Sequence, residues 1–310
     1  MPRGVTGGEY VAPAEDVFER QHSGSLSNPQ FAGLVGQVGL HARRGAPWAC
    51  RLLYRWLAVE ESDTRRVILL KTMIEVGCRD CPLDMLTRLV AVPHTDVCQE
   101  AAHLLVLAGP SGERALLATL GRLRGYLLAI SLGQLASGNG PLDVATVASY
   151  ANHPNQHVRL GTLGTLAVRG DGTCTGKLAA AIDRSDIPTR DAALTALVTI
   201  GGPDAVDAVL KRLSIDAARR SRPETLTVEL ALNYLGQHAQ TRPDALTHAR
   251  TLIVDHWHRR DEAEIAWIRK NLPQVAPETP EPISPPSSQA AAGMRRPVLA
   301  RLHRMMQDSM

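Results

Sequence analysis

The sequence predicts an all-α fold, an α-solenoid of about seven short helical hairpins stacked side by side, and three observations carry that prediction. Glycines close apolar helical runs at Gly45, Gly77, Gly109, Gly138, Gly170, Gly201 and Gly236, at intervals of 32, 32, 29, 32, 31 and 35 residues. The runs Arg66 to Gly77, Cys98 to Gly109, Arg159 to Gly170 and Arg190 to Gly201 share one eleven-position register, with small or aliphatic residues at helical spacing between the ends. The chain is 44% hydrophobic but only 4% aromatic, with two Phe, so Ala and Leu must fill the core. That palette suits closely packed short helices and suits strands poorly. A length of 310 residues would ordinarily mean two globular domains, but a repeat protein grows along one axis instead of around one core.

Residues 1–27 mix Gly, Ser and polar side chains around one short helix at 14–21, and read as a flexible N-terminal segment. Helical periodicity then recurs at 28–43, 46–60, 62–76, 82–92, 96–108, 111–120, 123–137, 141–151, 156–168, 174–183, 187–200, 203–214, 222–238, 243–257 and 260–272, with no strand signal, so 28–273 is read as the solenoid. Ile200-Gly201-Gly202-Pro203 shows the punctuation: a glycine able to take a left-handed C-cap, then a proline that cannot continue the helix. The last helix places Arg259, Arg260, Asp261, Glu262 and Glu264 near its start and Ile265, Ile268 and Leu272 on one face, which describes a cap whose outer side meets water. Pro277, Pro280, Pro282, Pro285 and Pro286 mark 274–293 as an extended, disordered linker. Beyond it, 294–310 regains helical periodicity as a short amphipathic cationic segment, with Leu299, Leu302 and Met306 on one face.

Thr189-Arg190-Asp191-Ala192-Ala193-Leu194-Thr195-Ala196-Leu197-Val198-Thr199-Ile200-Gly201, and His157-Val158-Arg159 through Gly170, resemble HEAT-like repeats, in particular the short bacterial variety related to phycobilisome-lyase-type repeats. The resemblance covers roughly residues 28–273. It implies hairpins with an outer helix on the convex side and an inner helix on the concave side, the quoted segments being inner helices. It also implies an Asp and Arg ladder tying loops to neighbouring repeats, here Asp63 with Arg66, Asp186 with Arg190 and, as a weaker copy, Asn155 with Arg159; Cys98 interrupts it.

Function is less legible. The net charge of +3 and four Lys among 34 basic residues describe no concentrated basic stripe, so nucleic acid is not a favoured partner. A nucleic-acid-binding HEAT-like protein related to DNA glycosylases is the alternative, but its tryptophans would belong on a basic groove, and the four here fall at the two ends of the chain. No signal peptide and no apolar run of membrane-spanning length is present, which points to the cytoplasm, and the short tail is too weak for stable membrane anchoring. Five scattered cysteines, an odd number, fit reduced thiols better than a disulfide framework.

Cys78, Cys81, His94 and Cys98 have the spacing of zinc ligands, but a helix of about ten residues, roughly 15 Å long, is expected between the pairs. Ligands must lie about 2.0–2.3 Å from one ion, so no metal site is assigned. Trp48, Tyr54 and Trp56 share an early helix and fit packing better than base stacking. No motif for an acyl-transfer nucleophile, a phosphate-binding loop or a zinc hydrolase occurs, so neither catalysis nor a cofactor is expected. The expectation is a non-enzymatic scaffold or adaptor that binds other proteins through the inner-helix surface at Gln99, Glu100, His103, Asp191, Thr195 and Thr199, and through the tethered segment at Leu299, Leu302 and Met306.

Overall fold

The computed structural model describes residues 14–22, 25–78, 80–184 and 186–277. The expected C-terminal segment, with Leu299, Leu302 and Met306, and the linker beyond 277 lie outside the described residues. Helices and turns account for the ordered elements, and no strand occurs among the described residues. The chain divides into two compact units, Met1–Thr119 and Leu120–Met310.

The first unit contains α1 (Ala14–His22), α2 (Asn28–Arg43), α3 (Pro47–Val59), α4 (Asp63–Val76), α5 (Leu83–Val90), α6 (Thr95–Leu107) and α7 (Pro110–Thr119). Helices α2, α4 and α6 pack in succession as one layer, and α3, α5 and α7 form the second. The expected order, an outer helix followed by an inner one that ends at a repeat glycine, makes α3/α4 and α5/α6 the helical hairpins of this unit, and the two helices of each pair pack on one another. Leu69, Leu70, Met73, Leu104 and Leu105 are fully buried between the layers, each burial contributing roughly 1.5–3 kcal/mol. Helix α1 closes the free end of the stack: Phe18 stacks on Trp48 with ring centroids 5.8 Å apart, and His22 stacks on Trp56 at 4.4 Å. Arg55 pairs with Glu15 and, at 3.2 Å, with Glu19.

The second unit contains α8 (Gly125–Gln134), α9 (Val144–Ala148), α10 (Gln156–Arg169), α11 (Thr175–Ile182), α12 (Ile187–Ile200), α13 (Val206–Ala217), α14 (Thr227–Gln237), α15 (Pro243–Asp255) and α16 (Glu262–Asn271). Here α8, α10, α12 and α14 are the inner layer, each packed on the next, while α11, α13 and α15 pack behind them. Leu132, Leu163, Leu166, Leu194, Leu197 and Leu232 are fully buried. The layer closes tightly because Gly161 of α10 faces α8: a Cβ there would sit 2.5 Å from the Ala129 carbonyl oxygen.

Observed and expected helices differ where local chemistry stops them. The helix expected at 141–151 shrinks to α9, whose start is fixed by Asp143 accepting from the Thr146 amide at 3.0 Å. The one expected from 222 begins at Thr227, past Pro223. The repeat glycines also act in two ways. Gly45, Gly77 and Gly109 take the left-handed conformation, Gly77 at φ 73°, as the capping argument requires. Gly201, expected to do the same, is extended at φ −73°; its reason for being glycine is steric, since a Cβ would meet the Leu197 carbonyl oxygen at 2.6 Å.

The cysteine expectation is corrected in part. Cys50 of α3 and Cys78, which follows α4, form a disulfide with Cα atoms 5.7 Å apart, whereas Cys81, Cys98 and Cys174 are in no disulfide. The α3 and α4 neighbourhood, invisible in sequence spacing, makes the bond possible. Cys78 is thereby removed from the zinc-like quartet, and α5 stands between its two halves. Among the described residues no group of three or more His, Cys, Asp or Glu side chains is placed to hold a metal ion. No helix among them is long and apolar enough to cross a membrane.

Candidate functional site

The arginine ladder shows how one inner helix fixes the next. Arg159 of α10 donates to the His153 and Pro154 carbonyls at 2.7 and 2.8 Å, to Thr189 Oγ1 at 3.0 Å and to Asp186 at 2.9 Å. Asp186 in turn caps α12 by accepting from the Thr189 amide at 3.1 Å. Burial opposes ionisation of Asp186, but the bonds from Thr189 and the Arg159 cation outweigh it and hold its carboxyl below the usual aspartate value. The expected pairing of Asp186 with Arg190 is therefore replaced by a pairing with Arg159 of the preceding repeat. The expected pair in the first unit is present, with Arg66 2.9 Å from Asp63 and donating to the Glu60 carbonyl at 2.8 Å.

Asp191 joins α12 to α14. It is only 3% exposed, and its carboxylate accepts from the Leu226 amide at 3.0 Å, from Thr225 Oγ1 at 3.0 Å and from Thr227 Oγ1 at 2.7 Å. Burial pushes its carboxyl up from the ordinary aspartate value, against the lowering effect of those three bonds. Of the inner-helix positions singled out in the sequence, this one faces the next helix of its own unit. Thr195 is half-buried and Thr199 exposed, and both hydroxyls bond back to the carbonyls four residues earlier, Asp191 and Thr195, at 2.8 and 2.9 Å. With their hydroxyls satisfied by the helix, they present methyl groups outward.

Thr195 and Thr199 border a surface the sequence reading did not single out as a patch. Across α8, α10 and α12 no Asp, Glu, Lys or Arg side chain is exposed. Arg159, Arg190 and Asp191 are buried, and half-buried Arg169 donates to the Leu135 and Gly140 carbonyls. What remains outward is Tyr126 at 56% and Val168 at 49% exposure, with Ile130, Leu160, Gly161 and Gly164 half-buried between them. His157 lies edge-on to Tyr126 with ring centroids 5.1 Å apart. Behind this layer, α11, α13 and α15 carry exposed Lys177, Asp207, Lys211 and Asp244. The charge-free stripe was readable as the lack of charge over 125–134 and the small residues of 160–168, once those helices were known to be adjacent.

In the first unit, Gln99, Glu100 and His103 lie together, half-buried, on one side of α6. Glu100 is 3.9 Å from Lys71 of α4. Burial pushes the Glu100 carboxyl up, with Lys71 acting against it and Asp96 with it, and burial lowers His103. This patch is polar and ionisable, unlike the stripe of the second unit. Other sequence candidates have packing roles: Trp56 and Tyr54 are buried, Tyr54 donating to the Cys78 carbonyl at 3.1 Å. His94 caps α6, its Nδ1 accepting from the Val97 amide at 3.4 Å.

A scan of protein-family models finds no match for the chain, and no curated protein matches it. Among solved structures, the complex of CpcE and CpcF of phycocyanin lyase from Nostoc sp. PCC7120 is similar at 15% identity and a TM-score of 0.37, covering 81% of this chain and 98% of that one. An engineered protein is similar at 14% identity and a TM-score of 0.49, covering 95% of this chain and 77% of that one. Neither likeness is close enough to assign a ligand or a partner.

Proposed function

We propose that this chain is a non-enzymatic scaffold that binds a protein segment on the outward face of α8, α10 and α12, with Tyr126 and Val168 as apolar anchors and Thr195 and Thr199 at the border. One observation supports this above the others: three adjacent helices carry no exposed charge, while the helices behind them do. Depletion of charge around an exposed aromatic marks the centre of an interface more reliably than hydrophobicity alone. A peptide laid there needs no charged partner, and Gly164, where a Cβ would meet nothing within 4 Å, lets its backbone come close. The polar α6 patch at Gln99, Glu100 and His103 is a second contact of different chemistry. The nucleic-acid alternative finds no support on this face, because a phosphate backbone would meet no exposed cation there.

The test is site-specific photocrosslinking in the native host from position 126 or 199, against position 177 or 211 on the helices behind. The expected result is one protein captured from the first pair of positions and not from the second. Tyr126→Glu or Val168→Glu should weaken that capture at least tenfold, and Lys211→Glu should leave it unchanged. Equal capture from both sides, or indifference to Tyr126→Glu, would remove the proposal.

A further inference from the structure

Arg159 and Arg190 hold the same register of successive inner helices, yet only the first forms an ion pair with an acid. Arg159 meets Asp186, the residue that caps α12. The residue in that capping place before α14 is Leu226, which carries no charge. Arg190 is left 5% exposed, and its Nε is buried without a hydrogen-bond partner. A guanidinium does not shed its proton in a protein, so this is a buried charge awaiting compensation. Burial, together with the nearby Arg212 cation, pushes it below the ordinary arginine value, although Asp216 and Asp191 act the other way.

Arg190 faces a small cavity of the second unit whose wall also includes Arg219, Arg220, Arg222 and Arg260. The carboxylates on that wall, Asp216 and Glu264, are already engaged. Asp216 accepts from Arg212 at 2.5 and 2.6 Å and lies 3.5 Å from Arg219. Glu264 pairs with Arg260 at 3.2 Å and accepts from Ser221. Asp191 is held by the start of α14, as described above. Positive charge is therefore in surplus, with Arg190 buried and Arg220 and Arg222 exposed. The cavity measures about 30 Å³, on a scale where one water needs roughly 10–15 Å³. That is room for a single tetrahedral oxyanion, with any group that carries it left outside the cavity.

We propose that this cavity binds a phosphate group, held from inside by Arg190 and from the exposed side by Arg220 and Arg222. Forked guanidinium donors match phosphate oxygens in geometry, and a dianion offsets more of the surplus than a carboxylate does. The group can arrive as free orthophosphate or on a phosphorylated serine, since both present the same oxygens. The site is separate from the charge-free face and does not depend on it.

Isothermal titration of the full chain with sodium phosphate at pH 7.5, at ionic strength held constant with chloride, tests the proposal, with O-phosphoserine as a second titrant. The expected result is saturable one-site binding that chloride does not reproduce. It should weaken at least tenfold in Arg190→Gln and in the double variant Arg220→Gln/Arg222→Gln, and stay unchanged in Arg242→Gln, whose guanidinium pairs with Asp207 and Asp244. The double variant alters exposed side chains only, so it decides the matter if Arg190→Gln misfolds by circular dichroism. Tighter binding of O-phosphoserine assigns a protein-borne source, and tighter binding of orthophosphate assigns the free ion; either supports the site. No saturable binding, or binding equal in all variants, overturns it. So does salt-sensitive binding of duplex DNA, lost in the same variants, without any binding of orthophosphate.

Discussion

Replacing Asp191 with Ala tests whether a buried carboxylate fastens one repeat to the next. Three donors converge on it: the Leu226 amide and the hydroxyls of Thr225 and Thr227. The two hydroxyls lie 2.6 Å apart and can bond to each other when the acid is gone, so most of the cost falls on the stranded amide and on one charge-assisted bond. An unsatisfied buried donor costs about 1–3 kcal/mol and a hydrogen bond to a charged group contributes about 1.5–3 kcal/mol, which together give roughly 2.5–6 kcal/mol. The loss should be local to α14, so hydrogen exchange read by mass spectrometry is the suitable assay. At about 1.4 kcal/mol per factor of ten, amides of α14 should lose roughly two to four powers of ten in protection. Asp191→Asn keeps one acceptor and should lose less. A fall of under tenfold in α14, or an equal fall in α10, would refute the claim that this carboxylate fastens α14.

Three further outcomes follow from the geometry. Reducing the Cys50–Cys78 bond, which spans 28 residues, should destabilise the first unit by roughly 3.5 kcal/mol on the loop-entropy relation; ready alkylation of both thiols in unfolded protein never exposed to reductant would deny the bond. Because the Asp186 carboxyl is held below its unfolded value, its contribution is present above the unfolded value of about 3.9 and is lost as pH falls through the lower folded one. Asp186→Asn should therefore destabilise at pH 7 and cost progressively less below about pH 4, and a penalty independent of pH would contradict the Arg159 pairing. Gly161→Ala should cost about 1–3 kcal/mol by overpacking, since its Cβ would press on backbone at Ala129; an unchanged urea midpoint would mean that α8 and α10 do not approach so closely.

Helix positions were legible because they depend on local periodicity and punctuation. The segment expected at 187–200 is observed as Ile187–Ile200, and that expected at 28–43 as Asn28–Arg43. Both follow from apolar spacing and flanking breakers, information carried within one turn or two of the chain. The hairpin register was legible for the same reason, since α4, α10 and α12 end at the repeat glycines Gly77, Gly170 and Gly201.

What neighbours do to one another was not legible. No spacing distinguishes the pairing of Asp186 with Arg159 from the pairing with Arg190. Asp191 reads as an outward residue by helical register, and only the position of Leu226 and Thr227 turns it into an internal cap. The same holds for Cys50 and Cys78, brought together across α3 and α4, and for the charge-free stripe, which exists only once α8, α10 and α12 lie side by side. The sequence by itself determined that this chain is a succession of short helices with a repeat near thirty residues, because helix formation and termination are decided by nearby residues. The tertiary structure alone decided which charges are answered and which, like Arg190, are not, because pairing is a matter of distance in space between groups about thirty residues apart in the chain.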